Sequence, residues 1–204
     1  MFSLSSAGAT TARAARHVAR LGLCLALAAT TARAQPACRV SSDSARRAVA
    51  ADAARIAAAL GSADMTALAR RVHPLRGVRF SPYAAVDTVR DVTLPAGELG
   101  PALRSARARV WGADDGSGDP IRLTFRAYLR RFAYDRDFAR APTVTYNAPG
   151  ERARAVWDAY PCAILAEFAV PETDERPAES LLLVFERYRG AWYLRGVVHA
   201  GWTI

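Results

Sequence analysis

The last third of the chain leaves folding the least freedom. Cys162 to Val170 and Ser180 to Tyr188 are apolar, branched or aromatic runs of strand length, separated by the turn-rich Pro171-Glu172-Thr173-Asp174-Glu175-Arg176-Pro177. Arg189-Gly190 is a tight connection into a third run, Ala191 to Trp202, so the last two strands are expected to form an antiparallel hairpin. A sheet of this kind needs an apolar cover, and the earlier sequence offers helices. From Ser42 to Leu60 the residues Val49, Ala53, Ile56 and Leu60 fall three or four apart, which describes one apolar stripe. Gly61 is expected to end that helix as a left-handed cap. Ser62 can cap a second, shorter helix over Asp64 to Val72, with Met65, Leu68 and Val72 on one side and His73-Pro74 as its stop.

Gly77 to Ser81 reads as a short strand broken by Pro82, and a looser region follows through Val92 and Leu94. Pro101 to Val110 is expected to be helical. Trp111 to Pro120 holds three glycines and three aspartates and is expected to be loop throughout. Thr124 can cap a helix whose inward face is Phe125, Leu129 and Phe132. Helices first and a strand meander last predict an α+β fold, with the N-terminal helices packed on one face of a curved antiparallel sheet.

The start of the chain reads as a cleavable secretory signal over residues 1–34. Arg13, Arg16 and Arg20 precede the apolar run Leu21 to Ala29, which is too short to span a bilayer, and Ala32-Arg33-Ala34 is a small-residue cleavage site. No adjacent arginine pair precedes the run, which favours the general secretory route. Cys24 raises lipid anchoring as the rival, against which Leu23 stands where a small residue is needed. Removing 34 of the 204 residues leaves 170, expected as a single α+β domain over residues 35–204 with no transmembrane segment, exported to the periplasm or secreted.

The formal charge of +9 weakens on inspection, because four of the 28 basic residues, all arginine, lie in the leader. The rest are spread among acidic residues, so no clustered nucleic-acid footprint is expected. Cys38 and Cys162 remain after cleavage. In an oxidising compartment they are expected to pair, the other reading being two unrelated thiols, one of them buried beside Ala163 and Ile164.

Three phrases, His73 to Tyr83, Trp111 to Ile121 and Trp192 to Ile204, together resemble a group of uncharacterised exported bacterial proteins. The last of them is also similar to the ending of the nuclear-transport-factor-2-like (cystatin-like) roll, a helix-backed cone of curved sheet. The resemblance implies that fold and no particular chemistry, since rolls host isomerases, dehydratases, hydrolases and binding modules.

The three phrases hold His73 and His199 with Asp114, Asp115 and Asp119. If they meet in space, His199 with Asp115 or Asp119, and His73 beside them, could act as general base and orienter. The alternatives are that His73 caps backbone carbonyls at a helix end and that His199 is a hydrogen-bonded wall residue. Alternation on the final strand is expected to put His199 on one face with Val197, Arg195 and Tyr193, a mixed wall suited to a ligand. Asp114-Asp115-Gly116 does not reproduce the ligand spacing of a calcium loop, so no metal and no cofactor are expected. No nucleophile elbow or phosphate-cradling glycine loop is present. The sequence therefore leads to a non-enzymatic envelope module that binds a small molecule or another protein through the cone or the loop around Trp111. Trp111, Tyr193 and Arg195 are its candidate contacts, and a small hydrolase, dehydratase or isomerase is the alternative.

Overall fold

A computed structural model gives the structure of residues 37–201. The expected leader, its cleavage point and Trp202, Thr203 and Ile204 lie outside the described residues. Helix α1 spans Ser42–Gly61, and Ser41 caps it by accepting from the Ser44 amide at 3.3 Å. Its inward stripe Ala45, Val49, Ala53, Ile56 and Leu60 is buried throughout, as the spacing predicts. The left-handed residue after the helix is Ala63, with φ of 53°, and Gly61 is still helical. Gly61 is needed for space instead: a Cβ there would sit 2.7 Å from the Tyr134 ring. Helix α2 covers only Met65–Ala69, and its cap is Asp64 rather than Ser62. Asp64 has the shorter reach to the amides of Thr66 and Ala67, both of which donate to its Oδ1.

The main sheet has six strands: β1 (Val78–Ser81), β2 (Val92–Leu94), β5 (Thr143–Tyr146), β6 (Ile164–Val170), β7 (Glu179–Tyr188) and β8 (Ala191–His199). Their order is β2-β1-β8-β7-β6-β5. The sheet is mixed rather than purely antiparallel, because β1 runs parallel to β8, with Arg79 opposite Gly196. The β7–β8 hairpin forms as expected, and its two-residue turn has Arg189 and Gly190 at φ of 48° and 88°. Both central residues at positive φ match the twist of the flanking strands.

Both faces of this sheet are covered, which corrects the one-sided expectation. On one face Ile164, Phe168, Leu181, Leu183, Phe185, Leu194 and Val197 join the core cluster of α1, α2 and Phe80. On the other, Leu165, Leu182, Val184 and Val198 pack with Val156 and Trp157 of α5 (Glu151–Ala159) and with Tyr160. Two-sided burial is the reason that Leu181 to Phe185 is unbroken apolar sequence.

Trp111 to Pro120 is not all loop. Strands β3 (Arg109–Ala113) and β4 (Pro120–Leu123) form a separate hairpin, while the helix expected at Pro101 to Val110 is the shorter α3, Leu99–Arg104. Thr124 caps α4 (Phe125–Tyr128), which continues as a π turn over Leu129–Ala133, and Phe125, Leu129 and Phe132 all face inward and are buried. Cys38 and Cys162 form a disulfide, with Cα atoms 5.3 Å apart. No helix among the described residues is long and apolar enough to cross a membrane.

Candidate functional site

Strand β8 carries an irregularity that decides the site. Val184 pairs with Gly196 and Phe185 with Leu194, so Arg195 sits in a bulge without a cross-strand partner. A bulge inserts one residue and reverses which face the following side chains take. His199 and Val197 therefore lie on the α1 face, whereas Arg195 turns to the opposite face, where its guanidinium stands 5.8 Å from the Tyr160 ring. The single wall expected from His199, Val197, Arg195 and Tyr193 is split in two.

Around Arg195 the structure gathers a cationic cluster. Arg79, from β1, donates from Nη1 to the Tyr160 hydroxyl at 2.9 Å and from Nη2 to the Thr88 carbonyl at 3.0 Å. Arg76 donates to both oxygens of Glu186, at 3.4 and 3.2 Å. Arg195 reaches the same carboxylate only at 3.6 Å, too far for a hydrogen bond, although its side chain is just 10% exposed. Its Nε and Nη1, and the Nε of Arg79, are buried without an acceptor. Each unsatisfied donor of this kind costs about 1–3 kcal/mol. Two guanidinium groups, those of Arg76 and Arg195, share the Glu186 carboxylate, and burial lowers the pKa of Arg195, as it raises that of Tyr160. Gly196 lets this arrangement close, since a Cβ there would meet Val184 at 3.0 Å and the Tyr160 hydroxyl at 3.4 Å.

His73 borders the cluster. Its Nδ1 accepts from the amides of Leu75 at 3.2 Å and Arg76 at 3.1 Å, so it caps amides and not carbonyls. That bond assigns the proton to Nε2 and the neutral form, in keeping with burial, which lowers its pKa. Its ring lies 5.2 Å from that of Tyr188 and 6.1 Å from that of Tyr193. A groove of about 360 Å³ opens here between His73, Arg76, Glu186 and Tyr188. Of the expected site residues, the structure thus brings His73, Tyr193 and Arg195 to one end of the sheet.

The others go elsewhere. Trp111 is a core residue: it is fully buried, its indole donates to the Leu123 carbonyl at 2.8 Å, and its ring stacks on Tyr128 with centroids 4.2 Å apart. No face is left for a ligand. Asp115 and Asp119 are exposed in the β3–β4 turn, which Asp114 orders by accepting from the amides of Gly116 and Ser117. Those bonds hold the Asp114 carboxyl below the usual range. The acidic neighbours of His199 are instead Glu179 and Asp135, whose oxygens lie 3.1 and 3.4 Å from its Nε2. Arg79, Tyr160, Glu186, Asp135 and Glu179 were not legible as site residues, because each lies in a run whose spacing signals only a strand, a helix end or a turn. Comparison of the chain with protein-family models, with curated proteins and with solved structures gives no match.

Proposed function

We propose that this protein is an exported envelope module that binds a small anion, a carboxylate or phosphate compound, at Arg79 and Arg195. The observation that carries this reading is the set of buried guanidinium nitrogens without an acceptor beside Tyr160. Arginine presents its donors as a rigid fork that matches carboxylate and phosphate oxygens, and in a half-desolvated site such bonds are about twice as strong as neutral ones. Glu186 is shared between Arg76 and Arg195, so the local charge stays positive and an entering anion meets donors already fixed in place. Tyr193 and His73 supply the adjoining aromatic wall.

Export is supported by the arginine-bearing leader and by the disulfide, a bond that persists in oxidising compartments. The proposed roll is supported by a long helix packed on a sheet whose central hairpin is bulged. A second reading, a small hydrolase, dehydratase or isomerase, draws on the two carboxylates within 3.4 Å of His199 Nε2. In it Asp135 and Glu179 take the places expected for Asp115 and Asp119, one of them orienting a neutral imidazole as general base.

Titration calorimetry at low salt, with inorganic phosphate and with succinate, tests the binding reading. At least one of the two is expected to bind, and Arg195→Met and Arg79→Met are each expected to weaken it about tenfold or more, in proteins whose circular dichroism is unchanged. If neither anion binds, or if both variants bind as the native protein does, the reading is wrong.

A further inference from the structure

The surroundings of His199 do not resemble those of a hydrogen-bonded core histidine. Glu179 opens β7, Asp135 follows the π turn, and His199 closes β8, where the Ala200 amide bonds to the Ser180 carbonyl at 2.8 Å. This pairing brings the three side chains to one point, where one ligand atom of each lies within 4.8 Å of the others. Nε2 stands 3.1 Å from Glu179 Oε2 and 3.4 Å from Asp135 Oδ1. Yet both imidazole nitrogens and both of those oxygens are buried with no hydrogen-bond partner. His199 is only 8% exposed. A native interior seldom leaves four polar atoms unsatisfied at one place without something to satisfy them.

We propose that Asp135, Glu179 and His199 form a binding site for one divalent transition-metal ion of the zinc class, a function separate from the anion cluster on the other face of the sheet. The donor set fits such an ion. One imidazole nitrogen and two carboxylate oxygens suit zinc, whereas calcium and magnesium take all-oxygen shells of higher number. Two ionised carboxylates balance the charge of a dication. Tetrahedral bonds of about 2.0–2.1 Å place neighbouring donor atoms about 3.3 Å apart, and the separations of 3.1 and 3.4 Å from Nε2 bracket that spacing. Three protein ligands leave a fourth position for water or substrate.

The walls of the site agree with this assignment. Gly201 passes beside it without a side chain: a Cβ there would lie 2.8 Å from His199 Cε1 and run into Glu179 Oε2. The Phe132 ring meets the imidazole edge-on at 5.9 Å and forms an apolar side. Burial raises the pKa of Glu179, and Asp135 adds to the rise, while His199, Arg136 and Arg152 oppose it. The two arginines are otherwise engaged, Arg136 with the Pro177 carbonyl and Arg152 with the Ala200 carbonyl and Glu167. Neither donates a hydrogen bond to either of the two carboxylates.

The test uses untagged protein purified under oxidising conditions, so that Cys38 and Cys162 stay paired, stripped with a chelator and dialysed. Zn²⁺ is titrated by calorimetry, and Co²⁺ by visible absorption. One equivalent of each is expected, with Co²⁺ giving the intense bands of a low-coordinate site and Zn²⁺ raising the Tm. Glu179→Gln, close in shape to the native residue, and His199→Asn are each expected to weaken Zn²⁺ at least about tenfold. Asp115→Asn, in the exposed turn, leaves it unchanged. Circular dichroism checks that the variants fold, and should His199→Asn fail to fold, Glu179→Gln alone decides. Absence of binding overturns the proposal, as does one-equivalent binding that survives substitution.

Discussion

Asp91 is a carboxyl whose ionisation the fold opposes. It borders a cavity of about 160 Å³ lined by Pro82, Tyr83, Gly112 and Asp115, and burial pushes its pKa up to about 6 even though its Oδ2 accepts from the Asp87 amide at 3.0 Å. In the unfolded chain the same group titrates near about 3.9. Between the two values the native state binds more protons than the unfolded state, so stability falls as pH rises through that window, by at most about 3 kcal/mol. Asp91→Asn keeps an oxygen for the Asp87 amide and removes the titration. Urea unfolding from about pH 4 to pH 7 is expected to show a flatter profile for the variant and a higher stability at neutral pH; an unchanged slope would sink the idea. At this scale the sequence was only half legible. Cys38 and Cys162 could be paired from parity and compartment, and Thr124 from its capping chemistry. Trp111 could not be placed, since a large apolar ring serves a core and a binding surface equally well. The partners of His199 were missed because sequence position does not report which carboxylates a pairing of strands brings near.

Close approach between elements makes one glycine decisive. Gly61 lies against the Tyr134 ring, and that ring is held by its hydroxyl, which donates to Asp137 at 2.7 Å and accepts from the Ala139 amide at 3.0 Å. Alanine is intrinsically the better helix former by about 1 kcal/mol. Here the clash is expected to win, with Gly61→Ala lowering stability by about 1–3 kcal/mol, the range for overpacking. Urea midpoints for Gly61→Ala, Tyr134→Ala and the double variant check this, because the two changes should cost less together than their sum. A Gly61→Ala protein as stable as the native one refutes it. Elements with strong periodicity were readable: α1, β1 and the last three strands all lie close to where spacing put them. Helix α5 escaped notice because Gly150 before it makes no side-chain cap, and packing of Val156 and Trp157 on the sheet holds it. The bulge at Arg195 was also silent, and it undid the expected alternation of β8.

At the scale of the domain, the Cys38–Cys162 disulfide closes a separation of 124 residues. Nearby contacts fasten the same segment: Arg39 donates to the Pro161 carbonyl at 3.0 Å and lies over the Trp157 ring, and Asn147 bridges the Val40 carbonyl and the Leu165 amide. Replacing both cysteines by serine is expected to cost about 2–5 kcal/mol. The urea midpoint should drop accordingly, and reductant should lower that of the native protein to match; a transition that neither change moves would contradict this. The α+β class was legible from the order of helical and strand periods. The topology was not, because hydrophobic pattern specifies which residues pair inward but says nothing about which strands become neighbours.

Strand β8 is an inner strand of the sheet: it joins β7 on one side to β1 on the other, and β1 and β2 reach the remaining strands only through it. A chain cut short before Ala191 would keep most of its residues and lose the seam between two halves. Such a truncated chain has bare strand edges on both sides of the gap, open to proteases and to other chains. Pairing of β8 with both neighbours is therefore what closes the two halves into one sheet.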